Sequence, residues 1–540
     1  MSFVLELMFG RKLQRHTHAY LDRLRTASQN AARKYASGAL AKLNTKAAAH
    51  NVMLGTTAWG EAVSIPIEHL LKAHALITGG TGAGKTSFAL LMLKALIYSP
   101  ADIGSFGLVD PKGDLFAGCL WLIAKRLEEL AKNDPAAARA LRRRIAIYDF
   151  SSSDPISSYN ILARWKGVDA DFFAANRSEL LMDLLPGSDS LSLTASAVLQ
   201  KLILLLSETD RPITYVEEAL ADPEVLESLV AKSQDRSLQG YFKRQFPATP
   251  KPTVMALRRR ISALFASESV RLSLAGTSAP DFRKFHDEGR IVLVNCFGTS
   301  ISRGVRRVLQ NLVLSDVRQS VFARQRREYP FLWLLDEAQN FFINESLRES
   351  VSDLLTMSRS FGTHCLFLTQ NLSTAVPDAR MLKSVYTNIR WSFSMRGEPS
   401  DCAFLKPVLP ITGWKARPRT SPFEAATYYT PAEERALLTE EIANLPDRTG
   451  YLWLRSHTPE ALRMKTGDLV MPTGRELETE IAAIRKDPSI GGRVPRRVYD
   501  RLIAERDKGG SAGVTERSEE QLTETLAAAY QRNRKGPDVV

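Results

Sequence analysis

The 540-residue sequence lacks the features that mark secreted, zinc-binding and membrane-spanning proteins. Its four cysteines occur singly, without a Cys-x-x-Cys pair, so the sequence predicts neither a disulfide framework nor a zinc site. No apolar run reaches the roughly 18 residues that span a bilayer, and the apolar stretch 3–9 is short and interrupted by Glu6. There is also no internal repeat. These absences favour a globular protein of a reducing compartment.

The sequence also lacks an excess of acidic residues, since its formal net charge is +13. Its hydrophobic fraction of 44% and charged fraction of 24% are those of an ordinary soluble globular protein. Such an excess of cations predicts a polyanionic partner, either nucleic acid or an anionic membrane surface. A basic protein without such a partner is the alternative. The length corresponds to roughly three to four domains.

One stretch contains every part of a phosphate-binding P-loop. An apolar strand, residues 75–77, leads into a glycine-rich turn and then into an apolar helix. Glycines let successive backbone N–H groups point inward, and the helix N-terminus adds its positive dipole end. Lys85 should reach the β- and γ-phosphates of ATP, and Thr86 should hold Mg²⁺. The predicted nucleotide-binding residues are Gly79, Gly80, Thr81, Gly82, Ala83, Gly84, Lys85, Thr86 and Ser87.

A second apolar strand, residues 331–335, ends in two carboxylates, Asp336 and Glu337. Ligands of open α/β sheets bind at the carboxyl ends of the strands, so Asp336 is predicted beside the P-loop as part of the Mg²⁺ shell. Glu337 is predicted to polarise the attacking water. A further apolar strand ends at Gln370, whose amide would sense the γ-phosphate at the same edge of the sheet. These motifs together predict a nucleoside triphosphatase.

Strand and helix patterns divide the chain into five parts. Short apolar strands alternate with helical stretches, which predicts an α/β fold with a mainly parallel sheet, whereas residues 166–284 show helical spacing alone. We therefore expect a basic helical arm (1–51), a nucleotide-binding domain in two parts (52–165 and 285–475), an inserted all-α domain (166–284), and a helical and flexible tail (476–540).

Two segments concentrate positive charge. Residues 1–50 carry nine basic and two acidic side chains, which suits DNA, an anionic membrane, or a solvated helix that packs on a neighbour. Residues 232–260 of the insert carry eight basic side chains and one acid, with three aromatic residues interleaved. That pattern fits a nucleic-acid-binding face and equally fits a solvated helix surface.

The combination of motifs resembles the coupling-protein ATPases of conjugative type IV secretion, over roughly residues 52–470. The resemblance rests on His74 before the P-loop, the turn Asp110-Pro111-Lys112-Gly113-Asp114, the loop Tyr159-Asn160, the helical insert, Asp336-Glu337, and Arg359-Ser360-Phe361-Gly362 ahead of Gln370. It implies a RecA-like P-loop NTPase core and a hexameric ring that hydrolyses ATP with Mg²⁺ and threads DNA through its centre. It also implies that Arg359 acts as a finger in the neighbouring subunit's site.

The resemblance further implies a DNA-stimulated ATPase with relaxosome or secretion-channel partners, located in the cytoplasm or held at the inner membrane through those partners. Two departures bear on the partners. Family members usually begin with transmembrane helices, which this sequence does not show, and its tail lacks the acidic character that some members use to recruit relaxosome proteins. The leading hypothesis is a DNA translocase with little sequence preference. The alternatives are a secretion ATPase that energises protein export or assembly, and a nucleotide-dependent DNA-processing or defence ATPase or scaffold.

Overall fold

The computed structural model describes most of the chain between residues 51 and 507. Gaps lie at 101–102, 165–167, 186–192, 343–344, 377, 414, 416, 418–426, 456 and 488–489, and of the first 50 residues only 26, 29–30, 32–38 and 40–41 are described, all helical. Most of the predicted arm and residues 508–540 of the predicted tail therefore lie outside the described residues. Among the described residues, no helix is both long and apolar enough to cross a membrane.

From residue 51 onward, the described residues form eleven strands and nineteen α-helices. The strands are β1 (Asn51–Thr57), β2 (Ala62–Pro66), β3 (Ala75–Thr78), β4 (Phe106–Asp110), β5 (Ile145–Asp149), β6 (Ile291–Asn295), β7 (Phe331–Leu335), β8 (Thr363–Thr369), β9 (Trp391–Met395), β10 (Thr449–Leu454) and β11 (Leu462–Thr466). The helices before the insert are α1 (Ile67–Leu71), α2 (Lys85–Tyr98), α3 (Asp114–Asn133) and α4 (Pro135–Arg144).

The remaining helices follow in chain order. They are α5 (Ala170–Leu184), α6 (Leu193–Glu208), α7 (Tyr215–Ala221), α8 (Pro223–Lys232), α9 (Arg236–Gly240), α10 (Lys251–Leu264), α11 (Glu268–Leu274), α12 (Phe282–Asp287), α13 (Arg303–Phe322), α14 (Glu345–Met357), α15 (Leu372–Ala375), α16 (Ala379–Asn388), α17 (Pro431–Glu441), α18 (Gly474–Lys486) and α19 (Arg496–Asp507). Short 3₁₀ turns at Ser358–Phe361 and Ala338–Phe342 and a π-helical turn at Tyr241–Gln245 complete the description of the regions used below.

The chain forms two compact units. Unit 1 comprises residues 1–95 and 366–470, and unit 2 comprises residues 96–365 and 471–540. In unit 1 the strand order is β2-β1-β11-β10-β9-β3-β8. Strand β3 is parallel to β8 and β9, whereas β9, β10, β11, β1 and β2 are joined by antiparallel pairings. All four residues of β3 are buried, which explains its uninterrupted apolar sequence up to the P-loop.

Unit 2 contains the parallel strands β7-β4-β6-β5 in that order, and every residue of these four strands is buried. Strand β4 approaches β7 closely at Gly107, where an added Cβ would lie 2.3 Å from the Trp333 ring. Because the strands are parallel, their carboxyl ends meet at one edge of this part of the sheet. The register places Asn295 between Asp110 and Asp149 at that edge.

Between Ala170 and Asp287 the described residues form helices joined by turns and loops, without a strand. A buried polar network holds its first helix to the long helix α13. Arg177 of α5 forms an ion pair with Asp316 of α13, and the Tyr159 hydroxyl donates to the same carboxylate at 2.7 Å. Removing one member of such a network would leave a buried charge without its partner. The network thus gives Tyr159, of the Tyr159-Asn160 motif, a structural role.

The predicted fold class is confirmed. The structure contains a P-loop after a buried parallel strand, a mixed sheet with mainly parallel pairings, and a large helical region between β5 and β6. This is an α/β core with a P-loop and inserted helices.

Candidate active site

The P-loop joins the end of β3 to the start of α2. Gly82 and Gly84 adopt φ angles of +76° and +108°, a region that side chains strongly disfavour. A Cβ added at Gly84 would also lie 3.0 Å from both Met395 Cε and Arg448 Cγ. The glycines at these two positions are therefore required by the backbone conformation, and at Gly84 by space as well.

Two backbone hydrogen bonds fix the loop from outside. The Gly80 N–H donates to the Arg396 carbonyl at 2.6 Å, and the Arg448 N–H donates to the Ala83 carbonyl at 2.9 Å. Arg396 follows β9 and Arg448 precedes β10, so the antiparallel part of unit 1 holds the loop in shape. Neither arginine was singled out by the sequence, because an isolated arginine beside a strand carries no recognisable pattern.

Lys85 lies inside the loop. Its side chain is 9% exposed, and its ammonium donates to the carbonyls of Gly79 at 2.5 Å and Gly80 at 3.0 Å. Thr86 and Ser87 follow in the first turn of α2, where backbone N–H groups have no partner within the helix. The loop, the ammonium and the helix N-terminus together fit a phosphate group. The structure therefore places these residues in a phosphate-binding arrangement within unit 1.

Gln370 also reaches the P-loop. It follows β8, which is parallel to β3 in the register Thr78 with Thr369, so Gly79 and Gln370 leave neighbouring strands at the same edge. The Thr81 hydroxyl donates to the Gln370 side-chain oxygen at 2.9 Å. The prediction that Gln370 acts at the phosphate site thus has a geometric basis, although its role stays a prediction.

Two acidic residues lie side by side at the edge of unit 2. Asp110 ends β4, Asp336 follows β7, and the two strands are paired in parallel. Asp110 accepts backbone hydrogen bonds from Lys112, Gly113 and Phe116 at 2.7, 2.9 and 2.8 Å. No group of three His, Cys, Asp or Glu side chains suited to a metal occurs in the described part of the chain. A pair of carboxylates fits Mg²⁺, which is commonly held by one or two carboxylates together with phosphates and water.

The electrostatics of this pair are unusual. Burial raises the pKa of Asp336, and the charges of Asp110 and Glu337 raise it further. Burial also raises the pKa of Asp110, against the lowering effect of its three backbone N–H donors. Because those donors stabilise the ionised form of Asp110, a proton shared by the pair favours Asp336. A bound divalent cation would displace this proton and keep both carboxylates ionised.

Glu337 has an unusual backbone conformation, and both of its carboxylate oxygens contact other side chains. Its φ of +51° is uncommon for a residue other than glycine, and such strain concentrates at functional sites. One carboxylate oxygen forms an ion pair with the Lys112 ammonium, and the other accepts a hydrogen bond from the Gln339 amide at 2.5 Å. Burial lowers the pKa of Lys112, but the bond to Glu337 and nearby carboxylates outweigh it and raise this pKa overall.

Arg359 lies on the exposed 3₁₀ turn before β8. Within the described part of the chain, its guanidinium makes no hydrogen bond or ion pair. Arg327 instead donates to the Ser360 carbonyl at 3.0 Å, and Arg324 donates to the Phe361 carbonyl at 3.1 Å. Other arginines therefore bind the carbonyls of this turn, which argues against a capping role for Arg359. Among the described residues, no hydrogen bond or ion pair joins Arg359 to another predicted site residue.

Sequence reasoning assigned no role to Asp110 or Lys112, although both lie in the turn that carries the resemblance. The sequence nevertheless contains a pattern that points to Asp110. The four parallel strands of unit 2 are wholly apolar until their last or next residue, which is Asp110, Asp149, Asn295 or Asp336. Polar residues that recur at the same end of parallel strands must collect at one edge, and this rule would have grouped Asp110 with Asp336.

No protein-family model and no curated protein sequence matches the chain. Solved structures are similar to it at low sequence identity. The bacterial conjugative coupling protein TrwBdeltaN70 in its unbound form is 16% identical, with a TM-score of 0.49 over 84% of this chain and 94% of its own. VirB4 of Thermoanaerobacter pseudethanolicus is 11% identical, with a TM-score of 0.49 over 78% and 97%. TrwB in complex with ADP and Mg²⁺ is 16% identical, with a TM-score of 0.47 over 80% and 93%.

Proposed function

We propose that the chain is an ATPase that converts ATP hydrolysis into movement of DNA. The observation that carries the ATPase assignment is the buried Lys85 within a glycine-fixed loop at the N-terminus of α2. Such a loop binds the phosphates of a nucleoside triphosphate. Hydrolysis also requires a metal ligand and a base, and the adjacent carboxylates Asp336 and Glu337, which follow β7, are the proposed ones.

Each residue has a distinct task in the proposed reaction. Lys85 neutralises the charge of the phosphates. Thr86 and Asp336 would hold Mg²⁺, and the cation would stabilise the negative charge on the phosphate oxygens. Glu337 accepts a proton from water while the water oxygen bonds to the terminal phosphorus. The bond from that phosphorus to the bridging oxygen breaks, which gives ADP and phosphate. Gln370 would respond to the terminal phosphate through the hydrogen bond that it shares with Thr81.

DNA is the proposed cargo because of charge and because of the motifs. The net charge is +13, and seven exposed cations between residues 232 and 259 of the insert form no ion pair in the described part of the chain. The sequence resemblance to coupling-protein ATPases points to the same cargo and to a hexameric ring in which Arg359 acts on the neighbouring subunit. The predicted domain boundaries are part of this proposal.

The test is ATP hydrolysis by the purified full chain, measured with no nucleic acid, with single-stranded DNA and with double-stranded DNA. We expect hydrolysis that depends on Mg²⁺ and that DNA stimulates. Hydrolysis without any response to DNA would favour a secretion ATPase that does not grip DNA. An absence of hydrolysis despite nucleotide binding would favour a scaffold.

A further inference from the structure

Lys112 belongs to a turn that the proposed function leaves without a task, and its ammonium is bound to the proposed base. We propose that Lys112 is a positioning residue that holds Glu337 in a resting ion pair, and that this pair must open before Glu337 accepts a proton from water. The inference rests on the proposed ATPase function, because it concerns the same carboxylate.

Both oxygens of Glu337 already accept hydrogen bonds from side chains. The Lys112 ammonium contacts one oxygen, and the Gln339 amide contacts the other. An ammonium that donates to a carboxylate oxygen occupies a position that a water molecule would otherwise take. An attacking water would have to compete with that ammonium for the same oxygen. The observed pair is thus suited to a resting state rather than to the transfer of a proton.

The lysine is the member of the pair that is able to move. Its side chain is 42% exposed, whereas that of Glu337 is 14% exposed. The Glu337 backbone is fixed at positive φ, and its carbonyl accepts a hydrogen bond from the Asn340 N–H at 2.9 Å. The Lys112 backbone is also fixed, by its N–H bond to Asp110. Opening therefore requires only a change of rotamer along the flexible lysine stem.

The chemistry that would draw Lys112 away is that of a phosphate. A lysine ammonium binds phosphate as a point charge, and a row of phosphates, in a nucleotide or along DNA, offers more negative charge than the single carboxylate. The phosphate has two sources in the proposed reaction, the nucleotide and the DNA backbone. The two sources predict different responses to DNA when the lysine charge is removed.

The experiment compares Lys112→Met and Lys112→Gln with Lys112→Arg, which keeps the charge. Lys125→Met is the matched control, because Lys125 pairs with Glu480 at 3.2 Å on the same unit and is 40% exposed. We expect Lys112→Met and Lys112→Gln to raise turnover without DNA by roughly threefold to fivefold. This ratio corresponds to the free energy by which a partly exposed ion pair stabilises the resting state. KM for ATP should stay unchanged if DNA supplies the phosphate and should rise if the nucleotide supplies it, while Lys112→Arg and Lys125→Met should behave as wild type.

The response to DNA then identifies the phosphate. If DNA supplies it, Lys112→Met loses DNA stimulation, and if the nucleotide supplies it, the stimulation ratio is retained at the raised basal rate. Turnover that falls or stays unchanged in both uncharged variants, with an unfolding midpoint like that of wild type, would overturn the inference. Glu337→Gln separates this outcome from failure of the proposed function, since wild-type turnover in that variant would remove Glu337 as the base.

Discussion

Lys85 and Glu337 are expected to fail in different ways when they are replaced. Lys85 neutralises phosphate charge before and during the reaction, so Lys85→Ala should lose both tight nucleotide binding and hydrolysis. Glu337 acts on the water alone, so Glu337→Gln should bind nucleotide as wild type does while hydrolysis drops by roughly 10²–10⁴. Binding of a fluorescent nucleotide and release of phosphate measure the two properties separately. Wild-type phosphate release in Glu337→Gln would refute the assignment.

Asp336 gives a prediction about stability against pH. Its pKa is raised in the folded protein, so the folded state binds a proton between about pH 4 and the raised value while the unfolded chain does not. This contribution to stability is therefore lost as the pH rises through that window. In EDTA at pH 8, Asp336→Asn should unfold a few degrees above wild type, since roughly 1 kcal/mol corresponds to about 2–4 °C.

Two conditions control this measurement. Below about pH 3 the difference should vanish, because Asp336 is then mostly protonated in both states. With Mg²⁺ and nucleotide at pH 8, wild type should instead unfold at the higher temperature, because the cation binds the ionised carboxylates of the folded state. An Asp336→Asn variant that is less stable than wild type in EDTA at pH 8 would contradict the predicted direction.

The P-loop residues could be predicted from the sequence because they are neighbours along the chain as well as in the folded protein. Gly82, Gly84 and Lys85 occur within one loop, so spacing and residue type are sufficient. Lys112 and Glu337 are separated by more than two hundred residues, and their ion pair depends on the pairing of β4 with β7. The chemical roles of all these residues stay predictions until variants are measured.

At the scale of elements, the insert carries a surface of seven exposed cations, here called the insert surface. It comprises Lys232, Arg236, Lys243, Arg244, Lys251, Arg258 and Arg259. None of these side chains forms an ion pair among the described residues, and the single nearby acid, Asp235, caps α9 instead. Unpaired cations remain available to phosphates, so the choice between a nucleic-acid-binding face and a solvated helix surface is tested on these side chains.

We predict that Arg258→Gln with Arg259→Gln weakens DNA binding. Binding carried by phosphate contacts falls by about one decade per decade of salt for each phosphate neutralised, so the slope should become shallower by roughly two. Fluorescence anisotropy with labelled DNA across a salt series measures this slope. Arg139→Gln with Arg143→Gln is the matched control, because both arginines are exposed on helix α4. An identical loss in both double variants would indicate a general charge effect.

Elements whose pattern is purely apolar were predicted well. The sequence indicated strands at 75–77 and 331–335, and the structure places β3 and β7 there. Strand β11 of unit 1 was harder to predict, because its buried residues alternate with exposed ones. The long arginine-rich helix ends at Phe322, so Arg324, Arg326 and Arg327 lie beyond it, where Arg324 and Arg327 bind carbonyls of the turn before β8.

At the scale of the whole molecule, the proposed function implies a ring of subunits. Arg359 links the proposed chemistry to that assembly. It is exposed on its turn, its neighbours Arg324 and Arg327 already bind the local carbonyls, and its own guanidinium has no partner among the described residues. An arginine supplied by an adjacent subunit would stabilise charge on the transferred phosphoryl group, which is worth roughly 10³–10⁵ in rate.

Mixing two inactive variants tests whether Arg359 acts in the neighbouring subunit. Arg359→Ala alone should bind ATP but hydrolyse it very slowly, while Arg326→Ala, an exposed arginine of the same unit, should remain active. When Arg359→Ala is mixed with Lys85→Ala, an intact P-loop can face an intact arginine at about a quarter of the interfaces of a randomly mixed ring. Hydrolysis should therefore reappear at a comparable fraction of the wild-type rate. Mixed rings without activity would argue against a shared site, and near-normal hydrolysis by Arg359→Ala alone would show that its guanidinium takes no part in the reaction.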